Sequence, residues 1–205
     1  MLEKEMLNKM KKILAVLFAL TMIVSCLSFA LAEEGVSAAE ATEPTSHILV
    51  VYFSATGTTR GVAEKLAEGL SADLYEIVPE EPYTDADLNY NNSKSRTSIE
   101  TDDPACRPAI AGELPDLTAY DTVLIGYPIW WGDTPRIVSN FVEQVDVTDK
   151  TLAVFFTSGS SGLGSSMKHL ERQSGAGNWL EGKRFTSRTT VEELVNWAKG
   201  LGIEP

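Results

Sequence analysis

Cysteine is scarce. The 205 residues hold two, Cys26 and Cys106. That excludes a disulfide framework, so stability must come from packing. Histidine is equally scarce. His47 and His169 are far apart and neither has a metal-ligand neighbour at useful spacing, so both are read as structural. Basic residues are few: 17 Lys and Arg against 29 Asp and Glu, a net charge of −12. This argues against nucleic-acid binding, which needs cations to displace counterions from phosphates. No Gly-Lys-Ser/Thr follows a glycine loop, so there is no Walker site. Ser54 lacks a Gly-x-Ser-x-Gly context and a matching base, which excludes a hydrolase nucleophile. Asp85, Asp87, Asp102 and Asp103 read as solvated loop charges, not a catalytic carboxylate pair. There is no internal repeat. What remains is a globular composition, 43% hydrophobic and 22% charged, long enough to bury one proper core.

The N-terminus reads as a targeting segment. Lys9, Lys11 and Lys12 form a basic start, and Met10 is an alternative initiator. Residues 13–32 are almost wholly apolar, and Ala30-Leu31-Ala32 is a small-x-small cleavage signal before Glu33-Glu34. A Sec-type signal cleaved after Ala32 is the favoured reading. It implies export to the cell envelope or the exterior. With no twin-arginine pair, passage is expected to be unfolded. Two alternatives stay open, and either would place the protein at a membrane. One is a retained anchor, since the run is near spanning length. The other is lipid attachment at Cys26 within Ile23-Val24-Ser25-Cys26. Residues 1–32 are thus a signal sequence, 33–46 a Glu/Ala/Ser/Thr/Pro linker, and 47–205 the folded domain.

From His47 the chain alternates between two periods. His47–Phe53 is a continuous β-branched and aromatic run, as in a strand buried on both faces. Val62, Ala63, Leu66, Ala67 and Leu70 then share one face of a helix. A short second strand follows over 73–78. A third covers 122–126 and a fourth 152–156, with a weak fifth at 183–185. Thr134-Pro135 marks the start of a helix with Ile137, Val138, Phe141, Val142 and Val145 inside. Another helix is expected near 165–172. The last has a capping box at Thr190 and Glu193, with Val191, Leu194, Val195, Ala198 and Leu201 on one face. Residues 79–120 interrupt this order. They are polar and proline-containing, and a helix is expected within 85–99. So long a connection usually has a task. Strand–helix alternation means a parallel sheet covered on both sides.

In such a sheet ligands bind beyond the carboxyl ends of the strands. Three loops lie there. Ser54-Ala55-Thr56-Gly57-Thr58-Thr59 sets hydroxyls and a glycine at a helix start, where free N–H groups and the helix dipole make an anion cradle. Gly126-Tyr127-Pro128-Ile129-Trp130-Trp131-Gly132 carries adjacent tryptophans, which suit stacking on a flat aromatic ligand. Thr157-Ser158-Gly159-Ser160-Ser161-Gly162-Leu163-Gly164 is rich in backbone donors.

Together these loops resemble the flavodoxin-like family. Ser-x-Thr-Gly-x-Thr is similar to the FMN-phosphate loop of flavodoxins. Gly-Tyr-Pro-Ile-Trp-Trp-Gly followed by Thr-Ser-Gly-Ser resembles a bacterial subfamily. The resemblance spans about residues 47–203. It implies that Ser54, Thr56, Gly57, Thr58 and Thr59 hold the FMN phosphate. It also implies that Pro128, Ile129, Trp130 and Trp131 line the isoalloxazine ring, and Ser158, Gly159 and Ser160 its pyrimidine side. The expected fold is a three-layer α/β/α sandwich with a five-stranded parallel sheet in order 2-1-3-4-5.

One departure bears on function. Short electron-carrier flavodoxins usually have a second aromatic in the third loop, and residues 157–164 have none. One ring face is then open, or covered by 79–120 or by a partner, with Tyr83 and Tyr90 the aromatics placed to reach it. An open face suits an FMN-dependent oxidoreductase using NADH or NADPH and a small acceptor such as a quinone. An electron carrier between redox protein partners is the alternative, and a binding module that has lost its flavin is a third.

Overall fold

The structure is a computed structural model and describes residues 47–205. The segments expected to be a signal sequence and a linker, residues 1–46, and with them Cys26, lie outside the described residues. The run Ile48–Tyr52 forms β1 and is buried throughout. Its side chains alternate between two cores, as a strand covered on both faces requires. Leu49, Val51 and Phe53 face one; Ile48, Val50 and Tyr52 face the other. The strands β2 (Asp73–Glu76), β3 (Thr122–Pro128) and β4 (Thr151–Thr157) pair in parallel in the order 2-1-3-4. Val51 stands beside Ile125, and Ile125 beside Val154, so one apolar level crosses three strands.

The fifth position of the sheet is shared. Asn178–Trp179 (β5) pairs with the start of β4, and Lys183–Phe185 (β6) with its end, both in parallel. The sheet thus has the expected order 2-1-3-4-5, with the fifth strand broken into two pieces. Only the second piece shows in the sequence, because the first is two residues long.

Helices cover both faces. On one side lie α1 (Thr58–Leu70) and the C-terminal helix, Val191–Gly200. Val62, Leu66 and Leu70 pack there with Leu194, Trp197 and Ala198. The other side holds the helices Arg136–Gln144 and Ser166–Ser174, through Ile137, Phe141 and Leu170. In chain order these three are α3 (Arg136–Gln144), α4 (Ser166–Ser174) and α5 (Val191–Gly200), with α2 formed by Arg96–Asp102. The capping box of α5 is present in full: Thr190 accepts from the Glu193 amide, and Glu193 accepts from the Thr190 amide. α3 starts one residue later than expected, with Pro135 as its cap. Among the described residues no helix is long and apolar enough to cross a membrane.

The segment 79–120 differs from expectation. The helix sought in 85–99 occupies Arg96–Asp102 instead. A capping pair does form earlier, with Thr84 and Asp87 bonded to each other and the Leu88 amide donating to the Thr84 carbonyl. That turn is not continued. Asn89 and Asn92 side chains accept from amides two residues on, bending the chain into an arch. The arch is tied to α2, where the Thr97 hydroxyl donates to the Asp87 carbonyl at 2.7 Å and Ser98 to that of Asn92 at 2.9 Å.

Candidate functional site

The ends of β1, β3 and β4 open onto a cleft of about 730 Å³. Its size falls within the ~300–1,000 Å³ of small-molecule sites. All three sequence-marked loops reach it. Thr56 comes from the first, Ile129, Trp130 and Trp131 from the second, and Gly159 and Ser160 from the third. Ser54, Gly57, Thr58, Thr59, Pro128 and Ser158 belong to the same loops but do not line the cleft. The lining also includes Gly132 and Ser161 from these loops, and Leu88, Tyr90 and Thr97 from the arch and α2. No Asp, Glu, Lys, Arg or His is among the lining residues.

The first loop is built for an anion. Gly57 caps α1 with φ of 83°, a left-handed conformation that glycine adopts without strain. It has no side chain, so no side-chain bond caps the helix start, and the first turn holds no acidic residue. The leading amides and the positive dipole end are left for a ligand. Thr56 and Thr58 are exposed beside them. The Ser54 hydroxyl is buried without a hydrogen-bond partner. A buried orphan hydroxyl is costly unless something completes it. This donor set fits a phosphate group. Thr59 is placed differently. Its side chain is buried and its Oγ1 lies 2.8 Å from that of Thr157, joining α1 to the end of β4.

The second loop separates its two tryptophans. The Ile129 amide donates to the Thr157 carbonyl at 2.9 Å, extending the β3–β4 ladder. Trp130 and Asp133 then exchange backbone bonds of 3.0 and 2.9 Å around Trp131 and Gly132. Both central residues have positive φ, 50° and 77°, the signature of a type I′ turn. Glycine suits the second position, whereas tryptophan at the first is unusual and strained. Trp131 stands at the tip, 42% exposed. Trp130 points the other way for part of its surface, edge-on to Phe53 at 5.3 Å and to Tyr83 at 5.2 Å.

Tyr83 is therefore in the aromatic cluster under Trp130 and is not one of the residues lining the cleft. Its hydroxyl donates to Glu100 at 2.8 Å, and the Arg96 guanidinium lies 4.1 Å from its ring centre. Burial, then the Glu100 carboxylate, pushes its phenol well above the ordinary value. Tyr90 does line the cleft, 73% exposed, so the aromatic absent from the third loop has a counterpart on the arch. The third loop is folded on itself by a bond from the Ser158 hydroxyl to the Ser161 carbonyl.

Sequence reasoning missed the support of this site. The Asp133 carboxylate accepts from the Thr134 amide at 2.8 Å, contacts His169 Nδ1 at 2.9 Å, and faces Arg136 at 3.6 Å. Arg136 is buried and donates to the Glu100 and Thr101 carbonyls. His169 Nδ1 meets a partner 36 residues away in sequence, and no local motif signals it.

The comparisons with known proteins agree with this geometry. The flavodoxin family model matches residues 47–201. Among solved structures, a candidate flavoprotein from Bacteroides eggerthii is 44% identical, covering 77% of this chain and 98% of its own, with a TM-score of 0.72. One from Bacteroides uniformis is 41% identical over 74% of this chain and 97% of its own, with a TM-score of 0.71. A Lactobacillus acidophilus flavoprotein in complex with FMN is 25% identical, over 67% of this chain and 91% of its own, with a TM-score of 0.56. A search of curated proteins found no match. The chain belongs to the flavodoxin family.

Proposed function

We propose that this chain binds FMN in the cleft and acts as an FMN-dependent oxidoreductase, taking electrons from a nicotinamide donor and passing them to a small acceptor such as a quinone. The observation that carries the cofactor assignment is the buried, unpartnered Ser54 hydroxyl beside a helix start that no side chain caps. Ser54, Thr56, Thr58 and the leading α1 amides bind the phosphate beyond the edge of the cleft that Thr56 lines. Trp131 and Ile129 offer the flat apolar surface, and the Gly159–Ser160 backbone offers donors to the ring's polar edge. The flavin supplies hydride and electron transfer when bound. The chain's own part is to orient it and to keep one edge reachable.

The nicotinamide donor and the quinone-like acceptor rest on the uncharged lining of the cleft and on its second aromatic, Tyr90, standing on the arch instead of in the third loop. An electron carrier is the second reading. The exposure of Trp131 and Tyr90 at the cleft favours it, since both offer apolar contact to a docking protein. Purified protein is reconstituted with FMN and mixed anaerobically with NADH or NADPH. Rapid bleaching of the flavin absorbance, followed by quinone-dependent recovery, is the expected result. No bleaching with either nucleotide assigns the carrier role, and failure to retain FMN removes both.

Export is part of the same proposal. Residues 1–32 would direct the unfolded chain across the membrane, so the cofactor is acquired outside. Mass spectrometry of the mature protein tests this: an N-terminus at Glu33 is expected, and a lipid on Cys26 would replace it.

A further inference from the structure

Two walls of the cleft come from segments far apart in sequence, and one carboxylate sits between them. Asp133 closes the turn that carries Trp131, through backbone bonds to Trp130. Its side chain contacts His169 Nδ1 at 2.9 and 3.0 Å with its two oxygens. The same group faces Arg136 Nη1 at 3.6 Å. Arg136 reaches on to α2, donating to the Glu100 carbonyl at 3.2 Å and the Thr101 carbonyl at 2.7 Å. α2 carries Thr97 into the cleft and holds the arch with Leu88 and Tyr90. The turn needs such support. Its first central residue is a tryptophan at φ of 50°, a left-handed conformation that a bulky side chain adopts only with strain. Such strain persists only where the surroundings over-determine it. The third loop closes in from the other side, since a Cβ on Gly164 would lie 2.8 Å from the Gly132 carbonyl oxygen.

We propose that Asp133 is a positioning residue: its carboxylate, shared between His169 and Arg136, holds the strained turn and so fixes the Trp131 ring in the orientation that receives the flavin. This rests on the flavin reading of the cleft for its consequence, but not for its geometry. In Asp133→Asn the Thr134 amide keeps its acceptor on Oδ1, while an NH2 group replaces the oxygen that contacts His169 Nδ1 at 2.9 Å and faces Arg136 at 3.6 Å. The turn is then free to relax, and Trp131 moves away from a single orientation. A merely structural Asp133 would lower stability and leave the tryptophan signal of the folded protein alone.

The test uses Asp133→Asn in the full chain, with His169→Gln as a milder second variant that removes one partner only. The first readout needs no cofactor: acrylamide quenching of the Trp131 emission, obtained as the difference from Trp131→Ala in each background. Quenching is expected to rise about twofold in Asp133→Asn and by less in His169→Gln. Unchanged quenching in both variants, at temperatures where both are folded, overturns the proposal. The second readout is FMN titration. Asp133→Asn is expected to weaken FMN about tenfold in the wild-type background and less than twofold in the Trp131→Ala background, because the effect passes through that ring. An equal loss in both backgrounds also overturns it. If the wild-type protein takes up no FMN, the flavin reading fails and the quenching result alone decides the positioning role.

Discussion

The hydroxyls of Thr59 and Thr157 lie 2.8 Å apart in the protein interior, although 98 residues separate them. They join the first turn of α1 to the last residue of β4, and so the first loop of the cleft to the third. Replacing either with Val strands the other hydroxyl, which should cost about 1–3 kcal/mol. The double Val variant should lose less than the sum of the two singles, because no polar group is then left unpaired. Urea unfolding of the three variants measures this, and strict additivity would show that the two hydroxyls do not act as a pair.

The phosphate loop should separate stability from binding. Ser54→Ala removes a buried hydroxyl that has no partner, so the cofactor-free protein should be as stable as wild type or more so. The same change should weaken FMN, as should Thr56→Ala and Thr58→Ala. A hydrogen bond to a charged group is worth about 1.5–3 kcal/mol, or roughly tenfold or more in affinity. Thermal melts and FMN titrations on the same samples check both halves.

The two tryptophans should fail in different ways. Trp130 packs edge-on against Phe53 and Tyr83, so Trp130→Ala should destabilise the fold by about 3 kcal/mol, the lower end of the range for large aromatic truncations. Trp131 is at the turn tip, and Trp131→Ala should leave stability within about 1 kcal/mol while reducing both FMN affinity and flavin-induced quenching. Equal loss of stability in the two variants would contradict the placement of the rings.

Gly126 should not tolerate a side chain. It stands beside Phe155 in the β3–β4 register, and a Cβ there would lie 2.1 Å from the ring. Gly126→Ala should lower stability by about 1–3 kcal/mol or more through overpacking. Adding Phe155→Leu to Gly126→Ala should restore part of that loss, measurable as a recovery in melting temperature.

Acid should loosen the end of the long segment. Arg107 Nε and Nη2 donate to the two Glu143 carboxylate oxygens at 2.7 and 2.6 Å, tying the chain after α2 to α3. These bonds hold the Glu143 carboxyl below its ordinary 4.5. A depressed folded value means the stabilisation is complete above pH 4.5 and is lost as pH falls through the folded value. Glu143→Gln should therefore be less stable than wild type near neutrality, with the gap closing in acid. Parallel denaturation curves at about pH 7 and about pH 3 give the comparison.

Much of the fold was legible because it is local. A short, β-branched apolar run such as Ile48–Tyr52 reads as a strand covered on both faces, and the Thr190–Glu193 box starts its helix wherever the helix docks. The three strand-end loops were legible for the same reason: their hydroxyls, glycines and tryptophans follow directly on buried strands. Residues 79–120 were not. Thr84 and Asp87 form a capping pair that resembles a helix start, but the next residues prefer side-chain to backbone bonds, and the helix forms only at Arg96. Tyr83 and Tyr90 look alike in sequence. Contact with Phe53 and Trp130 draws one against the core, while the bends at Asn89 and Asn92 leave the other exposed.

By itself the sequence determined the alternation of strands and helices, the parallel sheet, and the three loops at its carboxyl edge, since each follows from hydrophobic period and turn chemistry within a few residues. Only the tertiary structure decided which hydroxyls face the cleft, which tryptophan stands at its tip, and that Asp133, Arg136 and His169 meet behind it. The Thr59–Thr157 and Asp133–His169 pairs join groups 98 and 36 residues apart, and no local pattern encodes a distance of that kind.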